Sequence, residues 1–370
     1  MKIAIIINTS WNIYNFRRGL IRHFMSQGHE VIAIAPKDDY SNKLEEMGCA
    51  FYPLEFPGTS TNPITDLTLI LRLYRLLKQT KPDVLLTYTI KPNIYASLVS
   101  FPLGIPCICN VSGLGTVFLW KGNVKRIAVF LYRLAFRFSR WVFFQNEEDR
   151  EDFLKVVKLR RSKTSILPGS GVNLQHFTFT PFRVKPETTF LMISRLIIEK
   201  GVNEFSKAAR ILSDSDAKVR FQILGSYEPD HARRIDDTLI KEWKKEGYIE
   251  WIEHQEDIRP YIADADVVVL PSYREGTPKT LLEAGAMGRA LIAADVPGCR
   301  QVVKDGYNGF LCKPKDGKDL ANKMRLYMSL NPEERQQMRT NSRKYIESRY
   351  DEQIVIQSYD IKVAELATKK

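Results

Sequence analysis

The chain has 370 residues, long for one domain and comfortable for two. Its apolar share of 44% is ordinary, and no apolar run reaches the roughly 20 residues that a membrane-spanning helix needs. Of a formal net charge of +12, +10 falls in residues 1–168, so the basic excess implies an anionic partner for the first half: a membrane surface, a lipid phosphate or a nucleic acid.

The start, Met1 to Asn8, lacks the extended apolar stretch and small-residue cleavage site of a secretory signal, and the expectation is a cytoplasmic protein. In chain order, strands are predicted at Lys2–Asn8, Glu30–Ala35, Ala50–Glu55, Asp83–Tyr88, Pro106–Asn110, Trp141–Phe144 and Lys163–Leu167. Helical periodicity marks Asn15–Gln27, Asp66–Gln79, Lys91–Ser100, Val124–Ser139 and Glu147–Val157. In the second half, strands are predicted at Phe190–Ser194, Val219–Leu224, Ile249–Ile252, Val267–Leu270, Ala290–Ala293 and Phe310–Cys312. Helices are predicted there at Glu199–Leu212, Asp230–Lys245, Lys279–Met287, Lys318–Ser329 and Pro332–Ser348. Apolar strands alternating with helices mean α/β domains with parallel sheets covered on both faces. The boundary is expected in Leu167–Pro186, where Pro168, Gly169, Gly171, Pro181 and Pro186 break the periodicity. This gives two doubly wound, Rossmann-like domains, 1–168 and 169–350, each binding ligand at the carboxyl ends of its strands. The five cysteines have no zinc or redox spacing and read as reduced thiols.

The most informative segment is Glu275-Gly-Thr-Pro-Lys-Thr-Leu-Leu-Glu283, which follows the apolar run Val267–Leu270. It reads as a buried strand, a loop and a helix capped by Thr277 with Pro278 as its first residue. The backbone N–H groups of Lys279, Thr280 and Leu281, with the positive end of the helix dipole, then offer a phosphate site. Two acceptor-only carboxylates, Glu275 and Glu283, beside that site suit a ligand with both phosphate and hydroxyls, such as a nucleotide sugar. Arg195 at the end of a strand and Lys200 near the next helix start face the same crevice, where two cations can hold a diphosphate and the charge growing on it. The competing reading is a surface salt bridge, such as Lys200 with Glu204. Two Asp-x-Asp triplets, Asp214–Asp216 and Asp264–Asp266, precede their strands and read as solvated turns at the wrong edge for a metal-held diphosphate.

In the first half, the glycine-rich Asn110–Gly115 loop follows a strand and brings backbone close to a ligand or makes a packing turn. Asn12, Asn15 and Arg17 follow the first strand and are candidate contacts for phosphate or acceptor, and Lys91 opens the helix after the fourth and can pair with an acceptor phosphate; the competing reading of each is a cap or surface role. Residues 117–141 hold six basic residues, no acidic residue and seven Phe, Trp or Tyr. Trp120, Lys125, Arg126, Arg133 and Arg137 there fit either an anionic membrane surface or an ordinary helix with a solvated basic face.

The second half resembles glycosyltransferase family 4, of the two-Rossmann-domain (GT-B) architecture. The matching residues are Ser194-Arg-Leu196, Glu199-Lys-Gly201, Leu224-Gly-Ser226, Leu270-Pro-Ser272, Glu275-x7-Glu283-Ala284, Val296-Pro-Gly298 and Asp305–Phe310. The first half is similar to members that extend sugars on polyprenyl diphosphate, through Asn15-Phe-Arg17, Lys91-Pro-Asn93, Asn110–Gly115 and Leu167–Asn173. The resemblance implies two domains facing across a cleft, with a helix in 351–370 that packs back towards the N-terminal one. It implies a retaining hexosyltransferase in surface-glycan or glycoprotein-glycan assembly, on the inner face of the cytoplasmic membrane. A UDP-linked N-acetylhexosamine, GalNAc favoured, is the donor, and an undecaprenyl-diphosphate-linked sugar the acceptor.

It assigns Arg195 and Lys200 to the diphosphate, Glu283 to the ribose, and Glu275 to the donor sugar, with Gly276, Thr277, Pro278, Lys279 and Thr280 around sugar and phosphate. Many family members carry a His where this chain has Ser112, which leaves Asn110 or Ser112 to contact the donor sugar. No cofactor and no metal are expected beyond the UDP-sugar co-substrate. The alternatives are another hexose donor, a soluble acceptor, or a basic nucleic-acid-binding protein. The last lacks a known nucleic-acid motif and leaves Glu275–Glu283 unexplained, so no nucleic acid is expected.

Overall fold

The computed structural model describes residues 1–56, 63–114, 123–181, 185–213 and 218–367. The chain divides into two compact units, Met1–Ser170 together with the C-terminal segment from Glu352, and Gly171–Asp351.

The first unit runs β1 (Lys2–Ile6), α1 (Ser10–Ser26), β2 (Glu30–Ala35), α2 (Tyr40–Glu46), β3 (Ala50–Pro53), α3 (Pro63–Thr80), β4 (Val84–Tyr88), α4 (Ile90–Ser100), β5 (Cys107–Val111), α5 (Asn123–Ala135), β6 (Trp141–Phe144), α6 (Glu147–Val157) and β7 (Thr164–Ile166). Among the described residues its sheet has seven strands in the order β3-β2-β1-β4-β5-β6-β7, all parallel. β1 sits inside it, with Ile5 opposite Ala33 of β2 and Leu86 of β4. Alternate residues feed different cores: Ala4 and Ile6 one, Ile3, Ile5 and Ile7 the other. That two-sided burial is why the strand reads as an unbroken apolar run.

The second unit runs β8 (Thr188–Ile193), α7 (Val202–Ser213), β9 (Val219–Leu224), α8 (Asp237–Glu246), β10 (Glu250–Ile252), α9 (Arg259–Asp264), β11 (Val267–Leu270), α10 (Lys279–Ala286), β12 (Ala290–Ala294), α11 (Cys299–Val302), β13 (Gly309–Cys312), α12 (Gly317–Ser329) and α13 (Pro332–Tyr350). Its six described strands are ordered β10-β9-β8-β11-β12-β13 and again parallel.

After α13 the chain returns to the first unit as α14 (Glu352–Ala367). Val355, Ile356, Tyr359 and Val363 recur at helical spacing and are buried in the core that also holds Ile13, Leu20 and Ile21 of α1. At roughly 1.5–3 kcal/mol for each fully buried aliphatic side chain, this stripe suffices to dock the helix. Among the described residues no helix is long and apolar enough to cross a membrane.

Two predicted helix starts shift for a local reason. α1 begins at Ser10, not Asn15, because Thr9 is extended (φ −153°) and its Oγ1 accepts the Asn12 N–H at 3.2 Å. α8 begins at Asp237, not Asp230, because Asp236 caps it through the Thr238 N–H at 2.8 Å. α2, α9 and α11 are short helices without a predicted counterpart.

Candidate active site

In the second unit β8 and β11 are neighbours from which the strand order runs in opposite directions, the switch point at which doubly wound sheets leave a ligand crevice. Arg195 follows β8, is exposed, and has no side-chain hydrogen bond or ion pair among the described residues. Lys200 closes a 3-10 turn, Ile198–Lys200, ahead of Gly201 (φ +78°). A Cβ at Gly201 would meet the Pro271 carbonyl oxygen at 2.1 Å, so glycine there lets the β8 turn lie against the loop after β11.

That close approach brings Lys200 to Glu275: Nζ is 2.5 Å from Oε1, with the two side chains 27% and 13% exposed. The Lys200–Glu204 alternative is not formed; Glu204 accepts the Tyr273 hydroxyl at 2.9 Å. The Glu275 N–H donates to the Pro297 carbonyl at 3.3 Å. Gly298 (φ +86°) packs so tightly on the loop that a Cβ would sit 2.5 Å from the Glu275 carbonyl oxygen and 2.6 Å from that of Gly276. Pro297 and Gly298, to which the sequence reading gave no role, therefore hold the Glu275 loop in place; the glycine within the Val296-Pro-Gly298 match was the available signal.

The start of α10 differs from expectation. Pro278 is buried and occupies the cap position with extended backbone (ψ 110°), no side chain caps the helix, and Lys279 is the first helical residue. Thr277 is thus not the cap. The Leu281 N–H is taken by the Pro278 carbonyl at 3.1 Å, a tight first turn that removes it from the expected phosphate donors. Gly276, Thr277, Lys279 and Thr280 are half-buried around this turn. One turn on, Glu283 is 6% exposed, with Lys279 Nζ 3.7 Å from its Oε1. Burial pushes its carboxyl up to about 7, against the pull of Lys279.

The triplet Asp214–Asp216 lies outside the described residues. Asp264 and Asp266 sit before β11, at its amino end, but Asp266 is not the solvated residue expected. It is 4% exposed, and its carboxylate accepts the Thr189 N–H at 2.9 Å, joining the starts of β8 and β11. Asp264 pairs with Lys185 and, at 3.5 Å, with Arg220.

The first unit has its own switch point between β1 and β4. Asp38 takes the start of α1 through the Ser10 hydroxyl and, at 3.3 Å, the Trp11 N–H. Asn12 is half-buried, and Asn15 Nδ2 bonds back to the Trp11 carbonyl at 3.0 Å. Lys91 is held by Asp66 at 3.0 Å rather than standing open for an anion. Arg17 is the exception. It is 4% exposed, stacks over the Tyr88 ring at 4.1 Å, and gives Nη1 to the Phe16 carbonyl at 3.1 Å, while Nε has no partner among the described residues. It makes no ion pair among the described residues, and the first unit's undescribed stretches contain no Asp or Glu. An unpaired buried charge costs several kcal/mol, of which a cation–π contact returns about 1–2.

Asn110 is buried, donates Nδ2 to the Tyr359 hydroxyl of α14 at 2.8 Å, and has Oδ1 3.4 Å from Ser112 Oγ. Trp120 and the Lys125 side chain lie outside the described residues. Arg126, Arg133 and Arg137 are exposed along one face of α5 and the turn after it.

The family model described as a glycosyl transferase 4-like domain matches residues 15–169, and that described as glycosyl transferases group 1 matches residues 177–345. The chain is 29% identical, over 97% of both chains, to the N,N'-diacetylbacillosaminyl-diphospho-undecaprenol α-1,3-N-acetylgalactosaminyltransferase of Campylobacter jejuni. It is 26% identical, over 68% of each, to the UDP-Gal:α-D-GlcNAc-diphosphoundecaprenol α-1,3-galactosyltransferase of Escherichia coli. The Anabaena protein HepE, crystallised with UDP and glucose, superposes with a TM-score of 0.81 over 99% of this chain and 100% of its own, at 17% identity. Matched in both halves by glycosyltransferase models, end to end by a transferase relative, and in fold by a two-Rossmann-domain GT-B structure, the chain belongs to glycosyltransferase family 4 and is a sugar-transferring enzyme.

Proposed function

We propose that the enzyme is a retaining hexosyltransferase that moves an N-acetylhexosamine, GalNAc favoured, from a UDP-sugar to an undecaprenyl-diphosphate-linked sugar. The observation that carries the donor half is the Lys200–Glu275 pair beside buried Glu283 at the β8/β11 switch point. Exposed Arg195 and Lys200 bind the diphosphate and stabilise the charge that develops on it as the glycosidic bond breaks. Glu283 accepts the ribose hydroxyls, and Glu275 accepts hydroxyls of the donor hexose once Lys200 turns to phosphate. Retention follows if the leaving phosphate oxygen takes the acceptor proton on the same face.

The names of both curated relatives contain a diphospho-undecaprenol acceptor, whereas their transferred sugars differ. The lipid diphosphate is accordingly the firmer half of the acceptor–donor pairing. No metal ion is required: Asp264 and Asp266 are engaged at the amino end of β11, away from the Glu275 loop. Activity should persist in EDTA.

The enzyme works peripherally on the cytoplasmic membrane face. In support, α5 and the turn after it expose Arg126, Ile127, Phe130, Arg133, Leu134 and Arg137 on one face, and Arg133 and Arg137 line a cavity with Lys158, Arg160 and Lys163 and no acidic residue.

A panel of UDP-sugars assayed for UDP release with and without a polyprenyl-diphosphate-linked sugar tests the reading. Release that depends on the lipid-linked acceptor and is fastest with an N-acetylhexosamine supports it. Equal release with a soluble sugar acceptor overturns the acceptor, and a preference for a plain hexose overturns the donor.

A further inference from the structure

The β1/β4 switch point carries features that packing does not account for. Among the described residues Arg17, a cation with 4% exposure, has no carboxylate partner and no acceptor for its Nε. Beside Tyr88, on whose ring it lies, Thr89 adopts φ +65° and ψ 168°, a region nearly confined to glycine, although Thr is β-branched. The Thr89 Oγ1 is buried and has no partner among the described residues. Strain and unpaired donors at one point are the mark of a site completed by something that is not protein. The two phenols there are held by separate elements: Tyr88 ends β4, and Tyr359 comes from α14, its hydroxyl bonded to Asn110 Nδ2. Their rings are 6.2 Å apart, and Arg17 is the positive charge acting on both. Arg17 Nε and Thr89 Oγ1 are donors without an acceptor among the described residues, and no carboxylate there pairs with the guanidinium. Asp38 already fills the start of α1, so the guanidinium rather than the helix dipole is the open anchor.

We propose that Arg17, framed by Tyr88, Thr89 and Tyr359, binds a phosphate group of the acceptor, and that α14 is a working part of this site through Tyr359. Phosphate oxygens accept from the guanidinium and the hydroxyls and supply the missing counter-charge. Tyr359 is a positioning residue: its hydroxyl accepts from the Asn110 amide, and its ring lies 6.2 Å from that of Tyr88. The proposal deepens the acceptor reading above and rests on it for the identity of the anion.

The test is calorimetric titration of inorganic pyrophosphate into the full chain saturated with UDP, which occupies the nucleotide site. The wild type should bind. Arg17→Gln should weaken binding by about tenfold or more, and Tyr359→Phe by about threefold. Thermal unfolding separates binding from structure: Arg17→Gln should unfold at the same or a higher temperature, because it removes an unpaired buried charge. Pyrophosphate affinity unchanged in Arg17→Gln, or no pyrophosphate binding by the UDP-saturated wild type, overturns the proposal. If Arg17→Gln does not fold, unchanged affinity in Tyr359→Phe does so. Transfer to a soluble acceptor would overturn the acceptor reading and leave this titration valid, so the two fail separately.

Discussion

The two units repeat one strand order around their switch points, β3-β2-β1-β4-β5-β6 and β10-β9-β8-β11-β12-β13, and each buries an ionisable side chain after the carboxyl ends of the strands there. The charges are opposite. Glu283 in the second unit is 6% exposed and has Lys279 at 3.7 Å; Arg17 in the first is 4% exposed and has no ion-pair partner among the described residues. A buried acid with a nearby cation suits hydroxyls, to which it accepts, while a buried cation without an acid suits an anion, to which it donates. On the proposed assignment the same scaffold would serve the donor at one switch point and the acceptor at the other, by changing the sign of a buried group. On that assignment both groups weaken the empty protein, and each ligand would restore what its group costs.

The comparison breaks most visibly if the second unit's cations prove dispensable. Arg195→Ala and Lys200→Ala should each lower kcat by about 10²–10³, the loss typical of removing a group that stabilises charge in the transition state. Rapid-quench assay of single turnovers reads the chemical step directly, and a loss confined to donor KM would reassign both to ground-state binding.

The cost assigned to Glu283 has a pH signature. Its folded carboxyl is raised from 4.5 to about 7, so the folded state binds the proton more tightly than the unfolded chain. Its contribution is therefore fully present below pH 4.5, is lost as pH rises towards 7, and stays lost above it. Glu283→Gln should stabilise the ligand-free enzyme at pH 8 by up to roughly 3 kcal/mol relative to wild type, and by little at pH 4.5. Urea denaturation at the two pH values measures the difference; a variant less stable at pH 8 would show that Glu283 supports the fold.

The smallest effect concerns the basic face of the first unit. At about 1 kcal/mol per basic residue near an anionic surface, Arg133→Glu with Arg137→Glu should lower partitioning to phosphatidylglycerol-rich vesicles by about tenfold or more, with transfer to a short-chain soluble acceptor analogue unchanged. Unaltered sedimentation with vesicles would remove the membrane contact from the first unit's role.

Most of the framework was legible because period and burial coincide. β1, β4 and β11 are buried on both faces and read as continuous apolar runs. Short helices such as α2 and α11, of seven and four residues, carry too few turns for periodicity to register. Lys200 and Glu275 are 75 residues apart, yet both were legible as crevice residues because each ends or follows a strand on the same edge. Their direct pairing was not, since it depends on Gly201 and Gly298 admitting close backbone contact. Arg17 stood among four polar candidates with nothing local to separate it. Arg17 lies on Tyr88, in the core that Tyr359 shares 342 residues downstream, and Asp266 is likewise tied to Thr189, 77 residues upstream. Asn15 and Lys91 looked equivalent to Arg17 by position, but the Trp11 carbonyl and Asp66 engage their side chains; Asn12 is half-buried, with its backbone N–H given to Thr9.

Two-substrate steady-state kinetics of Glu283→Gln and Arg17→Gln, with a UDP-N-acetylhexosamine and a polyprenyl-diphosphate-linked sugar, tests the opposed sites most directly. Glu283→Gln should raise the donor KM by about 10–100-fold and leave the acceptor KM within about threefold, and Arg17→Gln should do the reverse. Variants that both raise the same substrate's KM, or that leave both unchanged, would contradict the division of donor and acceptor between the two switch points.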